Sequence, residues 1–134
     1  MKKYLLILFI VSLAITACAA ENSSDVLLGA WKLESYGPAD ALSPAVPDTE
    51  AGITFNEDGT LGGNSGCNGY GGNYTVEGNQ VTFSEIVSTL MFCDEPIGGQ
   101  EEAFFQVLTD TATYEVEGDT LTITNNDRAL VFTR

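Results

Sequence analysis

Apolar and polar residues alternate along most of the chain after residue 28, and the alternation breaks at short turns of Gly, Asn and Asp. The plainest stretch is Tyr74-Thr75-Val76-Glu77-Gly78-Asn79-Gln80-Val81-Thr82-Phe83. It recurs forty residues later as Tyr114-Glu115-Val116-Glu117-Gly118-Asp119-Thr120-Leu121-Thr122-Ile123. Successive side chains of a strand point to opposite faces, so a period of two flanking a Gly-containing turn predicts an antiparallel hairpin with one buried face. Tyr74, Val76, Val81 and Phe83 point inward in the first copy, and Tyr114, Val116, Leu121 and Ile123 in the second. Two copies fall short of the three a solenoid needs, so both belong to one sheet system.

The same pattern predicts further strands. Ile53-Thr54-Phe55 and Thr60-Leu61-Gly62 flank the turn Asn56-Glu57-Asp58-Gly59, and Thr122–Thr124 and Ala129–Phe132 flank Asn125-Asn126-Asp127. Trp31 to Tyr36 is a first strand, entered through Leu28-Gly29-Ala30. From Gly37 to Thr49, Pro38, Pro44 and Pro47 argue for a surface loop and against a strand. One helix is expected over Gln100–Leu108, where Phe104, Val107 and Leu108 follow helical spacing. Glu101 and Glu102 fall in its first turn, where the helix dipole favours anions. Its apolar stripe, with Phe105 continuing it or partly exposed, closes one opening of the sheet. The expected fold is mainly β (α+β): antiparallel hairpins forming a small barrel or curved sheet closed by one helix.

The N-terminus follows a different pattern. Met1-Lys2-Lys3-Tyr4 is basic and Leu5 to Ile15 is apolar, a secretory-signal length well below the roughly 20 apolar residues of a spanning helix. Ile15-Thr16-Ala17-Cys18 resembles the lipobox of bacterial lipoproteins. That resemblance implies cleavage before Cys18 and diacylglycerol on its thiol; a plain signal peptide with a chance Cys18 is the alternative. Two or three acyl chains, at about 0.8 kcal/mol per buried methylene, hold firmly where one is marginal. The expected organisation is a signal peptide over 1–17, a lipidated tether over 18–25 and a folded domain over 26–134. The expected location is the bacterial cell envelope, anchored through Cys18 and facing the periplasm or the exterior.

The full chain carries 5 basic and 19 acidic residues, a net charge of −14. Without residues 1–17 only Lys32, Arg128 and Arg134 remain against the 19 acids, a net −16. No basic footprint for nucleic acid exists, and anionic headgroups repel such a domain, which leaves the lipid as its membrane contact. The acidity steers a basic protein partner toward it or else serves solubility. A monomer is expected.

Cys67 and Cys93 are the two thiols left for each other after export. A bridge would close a loop of roughly 27 residues, worth about 3–4 kcal/mol in the chain-entropy account, and tie Gly62-Gly63-Asn64-Ser65-Gly66 to the start of the helix. The alternatives are a metal-binding thiolate pair or a redox dithiol. The chain has no histidine and no Cys-x-x-Cys, and two cysteines are half of a structural zinc set, so a structural disulfide is the preferred reading.

Catalytic chemistry finds few candidates. Without histidine, the usual base for a serine or cysteine nucleophile is missing, and Lys32 alternates with Trp31 and Leu33, which places it on the solvent side. Glu77 with Glu85, or Asp94 with Glu95, would suit glycoside cleavage, yet 19 acids in a small chain make chance pairs the expectation. Asn56-Glu57-Asp58-Gly59 lacks the ligand spacing of a calcium loop and reads as a turn. Gly62-Gly63-Asn64-Ser65-Gly66 has no following Lys or helix to make a phosphate loop; its glycines suit a bulge or a tight crossing. No catalytic residue, metal site or cofactor is expected.

Gly66-Cys67-Asn68 followed by Tyr70 and Tyr74, Thr89-x-Met91-x-Cys93, and Glu101 with Phe104 and Leu108 together resemble the META domain, the heat-shock HslJ-like family. Trp31-x-Leu33, Val116-Glu117-Gly118-Asp119-Thr120-Leu121 and Leu130-Val131-Phe132 fit the same pattern, so the resemblance runs from about Leu28 to Phe132. It implies a small, mostly β domain, often carried on bacterial lipoproteins and associated with stress and envelope functions, with no catalytic activity established. The function expected is a non-enzymatic envelope lipoprotein acting as a stress-related binding or structural module. The alternative is a surface inhibitor of a basic hydrolase such as lysozyme, steered by charge. The candidate binding loop is Ser65, Gly66, Asn68 and Tyr70.

Overall fold

The computed structural model describes residues 23–134; Cys18 and the signal-like segment lie outside the described residues. Nine strands follow a short 3₁₀ turn at Asp25–Leu27: β1 (Gly29–Pro38), β2 (Ser43–Pro44), β3 (Gly52–Phe55), β4 (Thr60–Asn64), β5 (Gly69–Glu77), β6 (Gln80–Ser88), β7 (Thr111–Glu117), β8 (Thr120–Asn125) and β9 (Arg128–Thr133). One helix, α1 (Ile97–Val107), separates β6 from β7. Neighbouring strands pair antiparallel in the order β1-β3-β4-β5-β6-β7-β8-β9, and β9 returns to β1, which closes an eight-stranded barrel. β1 achieves the closure by length: Gly29–Lys32 pairs with β3 and Lys32–Pro38 with β9, with a register slip between Leu33 and Ser35.

The two repeated segments are hairpins in the expected register, Val76 opposite Val81 and Val116 opposite Leu121. Tyr74, Val81, Phe83, Tyr114, Leu121 and Ile123 are buried, while Val76 and Val116, next to the turns, are half-buried at the barrel rim. The interior is filled by side chains, as an eight-stranded barrel allows. Phe55 meets Tyr74 edge-to-face at 4.9 Å and Phe104 meets Phe132 at 5.9 Å, an arrangement set by the ring quadrupoles. α1 lies across one end of the barrel against β1, β8 and β9, with Phe104, Val107 and the following Leu108 buried.

Three expectations need correction. The helix begins at Ile97, not Gln100, so its first turn holds no acid and Glu101 and Glu102 lie one turn further in. Gly98 and Gly99 lie within its first turn. A Cβ on Gly98 would sit 2.6 Å from the Cys93 carbonyl oxygen, so close approach of the incoming chain is what demands glycine there. Pro38 and Pro44 are strand residues, because Ser43–Pro44 adds a two-residue edge to β1 opposite Tyr36 and Ser35, where a missing N–H can face solvent. Residues 23–25, assigned to the tether, already belong to the fold: the Tyr114 hydroxyl donates to Ser23 O at 2.9 Å.

Candidate functional site

The Gly-rich segment makes the tight crossing its glycines suggested. Gly63 pairs with Ile53 on one side and Tyr70 on the other. The Tyr70 ring passes over it to donate its hydroxyl to Gly52 O at 2.9 Å. A Cβ on Gly63 would stand 2.1 Å from that carbonyl oxygen and 2.9 Å from the Tyr70 hydroxyl. Tyr70 is thereby wedged against Phe104 and Phe105, with ring centroids 5.4 and 5.6 Å away. Burial holds its phenol well above the usual tyrosine range.

That shift has a sign. A phenol whose folded value lies above its unfolded value of about 10 contributes fully below that pH and loses the contribution as pH rises past it. Tyr70→Phe is expected to cost about 1 kcal/mol at neutral pH through the lost hydrogen bond and to flatten the alkaline fall in stability. The flattening is partial, because burial also raises Tyr74 and Tyr114. Urea midpoints of both proteins between pH 8 and 11 check it; parallel curves would refute it.

Next along the chain, Cys67 is bridged to Cys93 with Cα atoms 6.0 Å apart. Beside the bridge, the Asn68 carboxamide pairs with Met91 as a backbone group would. Its Oδ1 accepts from Met91 N at 2.7 Å and from the Thr89 hydroxyl at 2.8 Å, and its Nδ2 donates to Met91 O at 3.0 Å. The Glu101 carboxylate closes the arrangement from α1. It accepts from Asn68 Nδ2 at 2.9 Å, from Asn68 N at 3.0 Å and from the Ser65 hydroxyl at 2.5 Å. One residue earlier, Gln100 donates to Ser65 O at 2.9 Å and accepts from Val46 N at 2.7 Å. Two adjacent helix residues thus hold two loops.

This geometry corrects the candidate binding loop. Ser65, Asn68 and Tyr70 are buried and direct their polar atoms inward; Gly66 alone of the four is half-exposed. No buried side-chain nitrogen or oxygen lacks a partner among the described residues. The loop is a clamp, and what it holds is the segment after β6. There Leu90 is 96 %, Phe92 89 % and Met91 61 % exposed, and Val87 at the end of β6 is 70 % exposed. The sequence reading took Thr89, Met91 and Cys93 as motif positions and missed this surface. Its signal was present: three consecutive apolar residues, Leu90-Met91-Phe92, outside any alternating pattern and directly before Cys93-Asp94-Glu95.

The remaining candidates fall into structural places. Lys32 is exposed on the wall of a surface cleft of about 760 Å³ with Glu34, Asp48 and Glu50. Glu77 closes the β5–β6 turn opposite Gln80, whereas Glu85 bonds Asn73 toward the other end of that ladder, so the two do not form a pair. Glu95 caps the amide of Gly99 at 3.2 Å. Asp58 accepts from the Thr60 hydroxyl at 2.6 Å and its amide at 3.0 Å, and the hydroxyl first, then the amide, holds its carboxyl below the usual range. It stabilises the β3–β4 turn.

A family model described as META domain matches residues 24–134. Among solved structures, the chain is similar to a protein from Burkholderia xenovorans determined by NMR, with 27 % identity, a TM-score of 0.65, and coverage of 83 % of this chain and 85 % of that one. A second protein determined by NMR shares 20 % identity at a TM-score of 0.70, covering 84 % and 95 %. A lipocalin-like protein from Bacteroides uniformis shares 15 % identity at a TM-score of 0.53, covering 81 % and 98 %, a likeness of fold. No curated protein matches the chain.

Proposed function

We propose that this chain, which belongs to the META domain family, is a non-enzymatic, lipid-anchored module of the bacterial envelope that binds or braces other components under stress. The observation that carries this reading is the filled barrel. Trp31, Phe55, Phe104 and Phe132 fill its interior, which leaves no calyx among the described residues of the kind in which lipocalin barrels of the same strand number carry a small ligand. The polar groups of the Ser65–Tyr70 loop are equally committed, to Glu101, Met91 and Gly52. Binding therefore belongs to the outer surface. Inhibition of a basic hydrolase is one form such a module takes.

An anchor at Cys18 gives that surface a direction. Ser23 sits at the end of the barrel that carries the β5–β6 turn, since the Tyr114 hydroxyl bonds both Ser23 O and Gly78 O. The turns of an antiparallel barrel alternate between its ends, so α1 and the Leu90–Phe92 segment lie at the far end. Residues 18–22 reach about 17 Å when extended, against roughly 30 Å for a nine-residue strand such as β5. A domain tethered in this way and standing upright on its anchor presents its apolar segment on the side away from the membrane. Feeding cells a labelled palmitate analogue is expected to mark the membrane-bound protein, and Cys18→Ser to abolish the label and leave unprocessed precursor. A mature N-terminus other than residue 18, or label retained by Cys18→Ser, would defeat the anchor.

A further inference from the structure

β6 is paired along both sides only at its start. Gln80–Thr82 meets Thr111–Thr113 of β7, Phe83 N donates to Asp110 O at 2.8 Å, and beyond it the strand partner among the described residues is β5, through Ser88. The β5 ladder then continues past the strand, with Thr89 N donating to Gly69 O at 3.0 Å and Asn68 standing in for backbone opposite Met91. Successive N–H and C=O groups of an antiparallel strand point alternately toward and away from the partner. With Thr89 and Met91 facing the β5 side, the backbone groups of Ser88 and Leu90 point to the open side, where no strand meets them among the described residues.

Edges of this kind are usually kept short, charged or covered. Here a bulge at Glu85, whose φ is +53°, interrupts the edge, but from Ile86 onward it runs on uncovered, held in place by Asn68, and carries the exposed Val87, Leu90, Met91 and Phe92. An open, pre-ordered edge flanked by apolar side chains is what strand addition uses: backbone bonds supply affinity and side chains supply choice.

Charge decides the occupant. Glu85 stands toward one end of the edge and Asp94 and Glu95 at the other, while the described cations, Lys32, Arg128 and Arg134, lie on β1 or at the ends of β9. A second copy paired antiparallel about Leu90 would set Glu85 opposite Glu95, a like-charge contact that opposes pairing. Anionic headgroups oppose the same surface. We propose that the open edge that ends β6 and follows it, from Ile86 to Phe92, takes an extended basic and apolar segment of a partner protein as an added strand. This rests on the reading of the domain as a binding module.

The test uses full-length protein in detergent and two synthetic decapeptides, one alternating Lys with Val and Leu, the other with Glu in place of Lys. The Lys peptide is expected to bind and to slow amide exchange over residues 86–92; the Glu peptide is not. Ser88→Pro removes an outward N–H without touching the β5 ladder, so it should weaken binding about tenfold with the melting temperature unchanged. Phe92→Ser should weaken it as well. Slowed exchange elsewhere, equal affinity of Ser88→Pro, or no binding of either peptide overturns the edge while leaving the binding module standing. Concentration-dependent self-association that protects residues 86–92 would make the occupant a second copy. Quenching of Phe92→Trp by brominated lipid after reconstitution would make it a bilayer. Either result overturns the proposal.

Discussion

Asn68→Ala is expected to cost about 2–4 kcal/mol of stability and to free the segment from Thr89 to Phe92. The side chain makes hydrogen bonds to Thr89, Met91 and Glu101, and its removal leaves partners unmatched in a part-buried site. A buried group without a partner costs about 1–3 kcal/mol, and water can re-solvate those nearest the surface, so the sum stays below the full count. Set against the 5–15 kcal/mol typical of a whole domain, this is a large share for one small polar residue. Asn68→Asp separates charge from shape. It keeps the acceptor for Met91 N but turns a carboxylate toward Glu101, so at pH 7 it should be at least as damaging as alanine. Part of the loss should return below about pH 4, where a carboxyl takes up its proton. Denaturant midpoints of the three proteins at pH 4 and 7, with amide exchange at Met91, decide the matter. An Asn68→Asp protein as stable as the parent at pH 7 would show that Glu101 does not depend on the amide.

What could be read from the sequence was local. The hairpins at Gly78 and Gly118 were legible because alternation and turn chemistry act within a few residues, and the apolar stripe of α1 for the same reason. Closure of the barrel was not, because the pairing of β1 with β9 joins opposite ends of the domain and leaves no local trace. The helix start was misplaced because the apolar spacing begins only at Phe104, while Gly98 is there for the Cys93 carbonyl packed against it. Direction was the other hidden quantity. Ser65 and Asn68 stand in a loop, where polar side chains commonly face water, yet Glu101 and Gln100 on a distant helix turn them inward. The exposure of Leu90 and Phe92 follows from that inversion: Asn68 bonds the Met91 backbone and leaves its neighbours outside. Composition hinted at the surface only through an apolar run with nowhere to alternate.

Removing the disulfide, by Cys67→Ala with Cys93→Ala, is expected to lower stability by about 3–4 kcal/mol without releasing Met91. The bridge spans 26 positions, and on the chain-entropy account its contribution lies mainly in the unfolded state, which gains freedom when the loop opens. Native hydrogen bonds from Asn68 to Met91 are separate interactions and should survive. The cysteine-free protein should therefore unfold at lower denaturant yet keep slow exchange at Met91 under native conditions. Adding Asn68→Ala should then free the segment, and the two losses should come close to adding, as independent contributions do. A bridge that instead stabilised the folded loop directly would give a different result. Exchange at Met91 would quicken as soon as the cysteines were gone, and Asn68→Ala would cost little more, since the bonds it removes would already be broken. A measured sum well below additive, with Met91 exposed in the cysteine-free protein, would place the contribution of the bridge in the native clamp and take it out of the unfolded chain.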